Sequence, residues 1–208
     1  KLAKFILPRA TQIRVVSERI KNSLITSGIK LKVEPMVLPI FVEEDLAQGP
    51  GFDLNAAYPQ FEKIILMTAR LTKEKRLDLA LKSFALVLKD NPNIGLVLVG
   101  SGPLAASLKN LTKILKIEPQ VIFTGWVNNL SNLYRSADCF LLTSAYEGYG
   151  LSLVDASLAS LPIISTDVGV AKETGAVVVP AEAQDIARAL VGALDQGKIA
   201  SPTTLPVI

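Results

Sequence analysis

The stretch Ser144-Ala145-Tyr146-Glu147-Gly148-Tyr149-Gly150-Leu151-Ser152-Leu153-Val154-Asp155 follows directly on an apolar run, Phe140–Leu142, that reads as a β-strand. Gly148 and Gly150 let the backbone approach an anion, and the helix they open turns free N–H groups and its positive dipole end toward it. Glu147 and Asp155 stand eight residues apart, or ~12 Å if the stretch were wholly helical. That separation suits gripping two ends of a ligand with a phosphate between them. A second stretch, Thr68-Ala69-Arg70-Leu71-Thr72-Lys73-Glu74-Lys75-Arg76, puts Arg70 and Lys75 on a strand-to-helix loop. Arginine offers phosphate oxygens a planar fork and lysine a point charge. Each stretch also has a plainer reading: a glycine turn with one N-terminal Glu and one solvated Asp, and a solvated basic loop. Together they say more, because both fall at the carboxyl ends of predicted strands, where open α/β sheets hold ligands.

The remaining chemistry is narrowed by what the chain lacks. Its 208 residues contain no histidine, which removes Ser-His-Asp and Cys-His nucleophiles, a histidine base and histidine zinc ligands. A single cysteine, Cys139, removes intramolecular disulfides and cysteine zinc sites and points to a reducing compartment. Carboxylates, Lys and Arg, hydroxyls and backbone amides remain. The net charge of +3 is uneven: residues 1–33 carry eight Lys and Arg against Glu18 alone, a local +7, and the rest sums to −4. That segment lacks the interleaved aromatics of a nucleic-acid arm, so no nucleic-acid partner is expected, whereas a +7 stretch is suited to anionic headgroups.

The elements that must position these residues come from alternating short apolar runs and helix-period segments, the pattern of a parallel sheet with crossover helices. Expected strands are Ile64–Thr68, Gly95–Val99, Gln120–Thr124, Cys139–Leu142, Pro162–Ser165 and Ala176–Val179. None alternates cleanly, as strands covered on both faces should not. Leu77, Leu81, Phe84 and Leu88 recur at helical spacing before Asn91-Pro92, and 104–115, 129–135, 151–159 and 184–194 supply the other helices. The result is a doubly wound α/β layer. Earlier, the chain reads strand Ile13–Val16, helix Glu18–Thr26, strand Lys32–Leu38, then a loop over 39–60 holding Glu43-Glu44-Asp45 and Gly49-Pro50-Gly51. No apolar run reaches the ~18 residues a membrane span needs. The chain opens on Lys1 without a signal peptide, and both termini are expected to be cut edges of a longer protein.

Five ordered blocks carry a resemblance. They are Ala69-Arg70-Leu71 with Lys75; Leu98-Val99-Gly100-Ser101-Gly102-Pro103; Val121 to Val127; Ala137 to Leu151 with Glu147-Gly148-Tyr149-Gly150; and Pro162 to Gly169. From Lys63 to Leu194 the chain resembles the C-terminal, donor-binding half of retaining GT-B glycosyltransferases of the family-4 type, relatives of mannosyltransferases and sucrose-phosphate synthases. The resemblance implies a Rossmann-like nucleotide-sugar domain over 61–196, preceded at 1–60 by a remnant of the acceptor-binding N-terminal domain with its linker, and followed at 197–208 by a truncated tail. It implies that Arg70 and Lys75 bind the donor's diphosphate and that Glu147 meets the transferred sugar. Asp155 would hold the ribose, backbone from Gly148 through Tyr149 and Gly150 to Leu151 would hold phosphate or sugar oxygens, and Gly125, Trp126 and Val127 would border the base. Gly100-Ser101-Gly102 resembles a phosphate loop weakly and reads better as a tight helix start.

Some positions depart from the family pattern. Asp155 replaces the usual Glu, Arg76 stands where Gly commonly follows the Lys, the linker reads Leu38-Pro39-Ile40-Phe41-Val42, and the segment from Gly169 to Ala176 is short. With no Asp-x-Asp motif, and with Arg70, Lys75 and a helix start converging, the leaving group is expected to be stabilised without a metal or other cofactor. The expected partners are a nucleotide sugar and the missing acceptor domain, with a peripheral membrane contact, in the cytoplasm. Lacking the acceptor half, the chain alone is expected to bind donor and transfer nothing. Two other classes compete. One is a degenerate, non-catalytic interaction module. The other is a dinucleotide-binding dehydrogenase domain, which needs Gly-x-Gly-x-x-Gly where Arg70-Leu71-Thr72-Lys73 stands.

Overall fold

The computed structural model describes residues 2–41 and 52–197. Glu43-Glu44-Asp45, Gly49-Pro50-Gly51 and nearly all of the expected tail therefore lie outside the described residues. In chain order the first elements are α1 (Leu2–Ile6), β1 (Arg14–Val15), α2 (Glu18–Thr26), β2 (Met36–Val37) and α3 (Leu54–Ala57). The alternating body follows: β3 (Lys63–Thr68), α4 (Leu77–Val87), β4 (Ile94–Val99), α5 (Ala105–Leu115), β5 (Val121–Gly125) and α6 (Ser131–Ser136). Then come β6 (Cys139–Leu142), α7 (Leu151–Leu158), β7 (Ile163–Ser165), β8 (Val177–Val178) and α8 (Ala183–Gln196).

Six of these strands form one all-parallel sheet in the order β5-β4-β3-β6-β7-β8. The order reverses direction between β3 and β6, and the carboxyl ends of the strands at such a reversal are where open α/β sheets hold ligands. The unbroken apolar runs follow from burial on both sides. Ile65, Met67, Leu96, Leu98, Cys139 and Leu141 face one core, packed by α4, α5 and α8, while Ile64, Leu66, Val97, Val99, Phe140 and Leu142 face the other. Along α4, Leu77, Leu81 and Phe84 sit on the buried stripe their spacing predicts. The helix ends at Val87, ahead of Asn91-Pro92, and Asn91 donates from its backbone and its side-chain amide to the Val87 carbonyl.

The expected strands survive with edges moved by a residue or so, except before the main sheet. Only Met36–Val37 of the expected 32–38 strand is paired, since Arg14–Val15 offers it just two parallel partners. Residues 52–60, expected to be loop, contain α3, whose Leu54 is fully buried in the second core and whose Leu54 N–H donates to Ser136 Oγ at 3.1 Å. The Asp53 carboxylate caps this short helix by accepting from the Asn55 and Ala56 N–H groups. A third, small cluster joins Tyr149, Val154 and Val170 to Val16 and Ile40. Beside it Arg19 donates to the Gly169 carbonyl at 3.1 Å and pairs with Asp167, so the N-terminal segment rests on the loops around the crevice. Among the described residues no helix is long and apolar enough to cross a membrane.

Candidate functional site

The loop after β3 is held from beneath by glycines. Leu71 N–H donates to Ser101 O at 3.0 Å and Leu104 N–H to Leu71 O at 3.0 Å. A Cβ on Gly100 would run into the Ala69 carbonyl oxygen, and one on Gly102 into the Leu71 backbone. These two glycines thus serve close packing of backbone on backbone at a helix start, which fixes the chain on either side of Arg70. The exposed Arg70 guanidinium has no ion-pair partner among the described residues. After a 3-10 turn over Lys73–Lys75, Arg76 adopts the left-handed conformation at φ 47° and ψ 44°, the conformation a glycine takes freely. The departure at this position is therefore one of residue type, not of backbone shape.

The loop after β6 comes to meet it. Lys75 Nζ lies 2.6 Å from Glu147 Oε1, and Ser144 Oγ donates to the same oxygen at 2.6 Å. Glu147 lies ahead of α7, which begins only at Leu151 after Gly150 has turned at φ 96°. The helical ~12 Å spacing expected between Glu147 and Asp155 consequently does not apply, because the glycine turn breaks the helix before it reaches Glu147. Asp155 does share a helix face with Leu151, one turn earlier. Tyr149 is a core residue: its ring is buried, the Ile40 backbone hydrogen-bonds its phenol, and its carbonyl accepts from Val170 N–H. A Cβ on Gly169 would strike that carbonyl, so Gly169 lets the two loops close together.

At the carboxyl ends of β3, β4 and β5, against the start of α7, lies a cavity of about 420 Å³ whose walls include Arg70, Trp126, Val127, Leu151, Ser152 and Asp155. Of the expected residues it brings together Arg70, Trp126, Val127, Leu151 and Asp155. Lys75, Glu147, Gly148, Tyr149, Gly150 and Gly125 stand outside its lining, Lys75 and Glu147 as a pair beside the start of α7. Gly125 shapes the wall from behind, turning at φ 73° and accepting from Gly100 N–H at 2.7 Å. Trp126 is 77% exposed, and its Nε1 donates to Asn128 Oδ1 at 2.9 Å, which holds the indole at the mouth.

Sequence reasoning missed Thr68 and Tyr134, which also line the cavity and whose hydroxyls are 2.6 Å apart. A signal was present, since Thr68 is the last residue of the strand nearest the reversal. Burial pushes the Asp155 carboxyl up to about 6. Burial, and then the charge of Asp155, push the Tyr134 phenol far above its ordinary range, so it stays a neutral donor. Chemically the cavity offers a cation, a carboxylate, an indole face and the N-terminus of an eight-residue helix. That set fits an elongated ligand with an anionic centre, a hydroxyl-bearing part and a flat ring.

Three comparisons bear on this geometry. The family model described as "Glycosyl transferases group 1" matches residues 56–201. The chain is 31% identical over 159 residues to the alpha-monoglucosyldiacylglycerol synthase of Streptococcus pneumoniae, covering 72% of this chain and 36% of that protein. It is 35% identical over 108 residues to the N-acetyl-alpha-D-glucosaminyl L-malate synthase of Bacillus anthracis, covering 52% of this chain and 28% of that protein. The solved Anabaena Alr3699/HepE in complex with UDP and glucose superposes with a TM-score of 0.80 at 19% identity, covering 93% of this chain and 56% of that one. S. aureus TarM in a complex containing UDP gives 0.77 at 20% identity, covering 92% and 39%. The chain thus spans about a third of the length of these curated relatives.

Proposed function

The chain belongs to the glycosyl transferases group 1 family, and from that premise we propose that it is the nucleotide-sugar-binding half of a retaining, metal-independent hexosyltransferase. The observation that carries this reading is the cavity at the sheet's reversal point, where Arg70, Trp126 and Asp155 face one space. The donor diphosphate lies against Arg70 and the first turn of α7, with Lys75 as the second cation. Backbone N–H groups from Gly148 to Leu151 take phosphate or sugar oxygens, Tyr149 contributing through its main chain. Ribose hydroxyls donate to Asp155, the base lies along Trp126 and Val127 beyond the Gly125 turn, and Glu147 receives a hydroxyl of the transferred sugar. The UDP complexes of the two solved neighbours support uridine diphosphate as the carrier.

As the glycosidic bond breaks, negative charge grows on the departing diphosphate. Fixed cations and a helix N-terminus can stabilise that charge without a bound ion. The acceptor, a sugar or a lipid-linked molecule, is held by a separate N-terminal domain, so these residues alone bind donor and transfer nothing. Calorimetric titration of the chain with UDP-, GDP- and ADP-glucose and with NAD tests the reading. UDP-glucose is expected to bind, equally well in EDTA and in Mg²⁺, and to lose binding in Arg70→Ala. Silence toward every nucleotide sugar would instead identify a degenerate module, preference for NAD a dehydrogenase domain, and a need for Mg²⁺ would refute metal independence.

A further inference from the structure

Two consecutive hydroxyls follow β6, and neither belongs to the donor set described above. Thr143 is fully buried, and its Oγ1 lies 2.9 Å from Lys75 O and 3.0 Å from Arg76 O, so its one hydrogen serves the backbone of the turn that carries Lys75. Ser144 is 1% exposed and donates to Glu147 Oε1. Its own carbonyl accepts from Thr166 Oγ1 at 2.7 Å, and the next N–H, that of Ala145, donates to Glu74 O at 2.7 Å. The two hydroxyls therefore reach the two halves of one ion pair, Thr143 through the main chain of Lys75 and Ser144 through the carboxylate of Glu147. These partners are distant in sequence: Lys75 and Glu147 are 72 residues apart.

The division of labour on the carboxylate matters most. Lys75 Nζ and Ser144 Oγ both donate to Oε1, and among the described residues Oε2 accepts no hydrogen bond. A carboxylate with one oxygen doubly held keeps a fixed plane, and its second oxygen is left to accept from an incoming hydroxyl. We propose that Thr143 and Ser144 are positioning residues that lock the Lys75–Glu147 pair so that Glu147 Oε2 faces the donor sugar. The proposal rests on the reading of Glu147 as the sugar-contacting acid, and it adds what holds that acid in place.

The test separates the two. Affinities of UDP and UDP-glucose are measured for the chain and for Glu147→Gln, Ser144→Ala, Thr143→Val and Thr143→Ser, with thermal melts alongside. Glu147→Gln is expected to abolish the gain in affinity that the glucose adds to UDP. Ser144→Ala is expected to cut that gain about tenfold, the scale of a hydrogen bond to a charged group, while UDP alone binds within twofold of wild type. Thr143→Val is expected to cut the gain and to weaken UDP as well, because its hydroxyl holds the turn that carries Lys75. Thr143→Ser, which keeps the hydroxyl, restores the gain. Should Ser144→Ala melt too low to measure, Ser144→Cys keeps its size without the strong donor and gives the same loss. A gain that persists in Ser144→Ala and Thr143→Val but vanishes in Glu147→Gln overturns the positioning role. So does an equal loss of UDP and UDP-glucose in Ser144→Ala, which marks a merely structural contact. A gain absent from wild type, or intact in Glu147→Gln, overturns the donor reading of Glu147 itself.

Discussion

Burial lifts the Asp155 carboxyl from 3.8 to about 6, so the fold favours its neutral form, whereas a ribose hydroxyl donating to it favours the anion. The two preferences have opposite signs with pH. A raised carboxyl pKa contributes stability that is complete below 3.8 and is lost as pH rises through about 6. Nucleotide binding runs the other way: between pH 7 and pH 5 the affinity for UDP should fall about tenfold, since most of the carboxylate is protonated one unit below its pKa. Asp155→Asn should bind more weakly at pH 7 and show a flat profile over the same range, read by titration calorimetry; a wild-type profile as flat as the variant's would remove Asp155 from the site. Arg70 and Asp155 were legible as single residues, because one sits just past a strand and the other one turn into a helix, whereas Trp126 was legible only through the family resemblance. The Lys75–Glu147 contact was not legible, since only the strand order brings its two loops side by side. Tyr134 escaped notice because nothing in a helical spacing tells which buried tyrosine borders a cavity.

At the scale of elements, the turn between β3 and α4 sets where the cations stand, and its cost is concentrated at Arg76. A non-glycine residue in the left-handed region costs ~1 kcal/mol or more, and a β-branched one costs most. Arg76→Gly should therefore be near neutral in urea unfolding, its relief of strain offset by the extra freedom of glycine in the unfolded chain. Arg76→Val should lose ~1–3 kcal/mol. Equal midpoints for the two variants would show that the conformation at Arg76 carries no cost. Strand positions were readable to within about a residue, because runs such as Ile64–Thr68 and Cys139–Leu142 are apolar throughout and buried on both faces. Short pieces were not: β2 is limited by what β1 can pair, and α3 is a single capped turn around Leu54, too brief to leave a period in the sequence.

At the scale of the molecule, the order β5-β4-β3-β6-β7-β8 does what no single motif does. It sets the loops after β3 and β6 against each other through Lys75 and Glu147, and leaves a cavity of about 420 Å³ at the carboxyl ends of β3, β4 and β5 beside the start of α7. The layer class was readable from alternation alone; the strand order is a property of long-range pairing and had to be observed. The charged groups of the candidate site are Arg70, Lys75, Glu147 and Asp155, so none of its charge comes from histidine, which the sequence lacks. The excess positive charge belongs to the N-terminal segment, whose Arg19 leans on the loop at Asp167 and Gly169. The most direct test of the central claim is a crystal structure of the chain soaked with UDP. Density is expected in this cavity, with the diphosphate on Arg70 at the start of α7, the ribose on Asp155 and the uracil against Trp126. Nucleotide bound elsewhere, or in this cavity with its ribose away from Asp155 and its diphosphate away from Arg70, would contradict it.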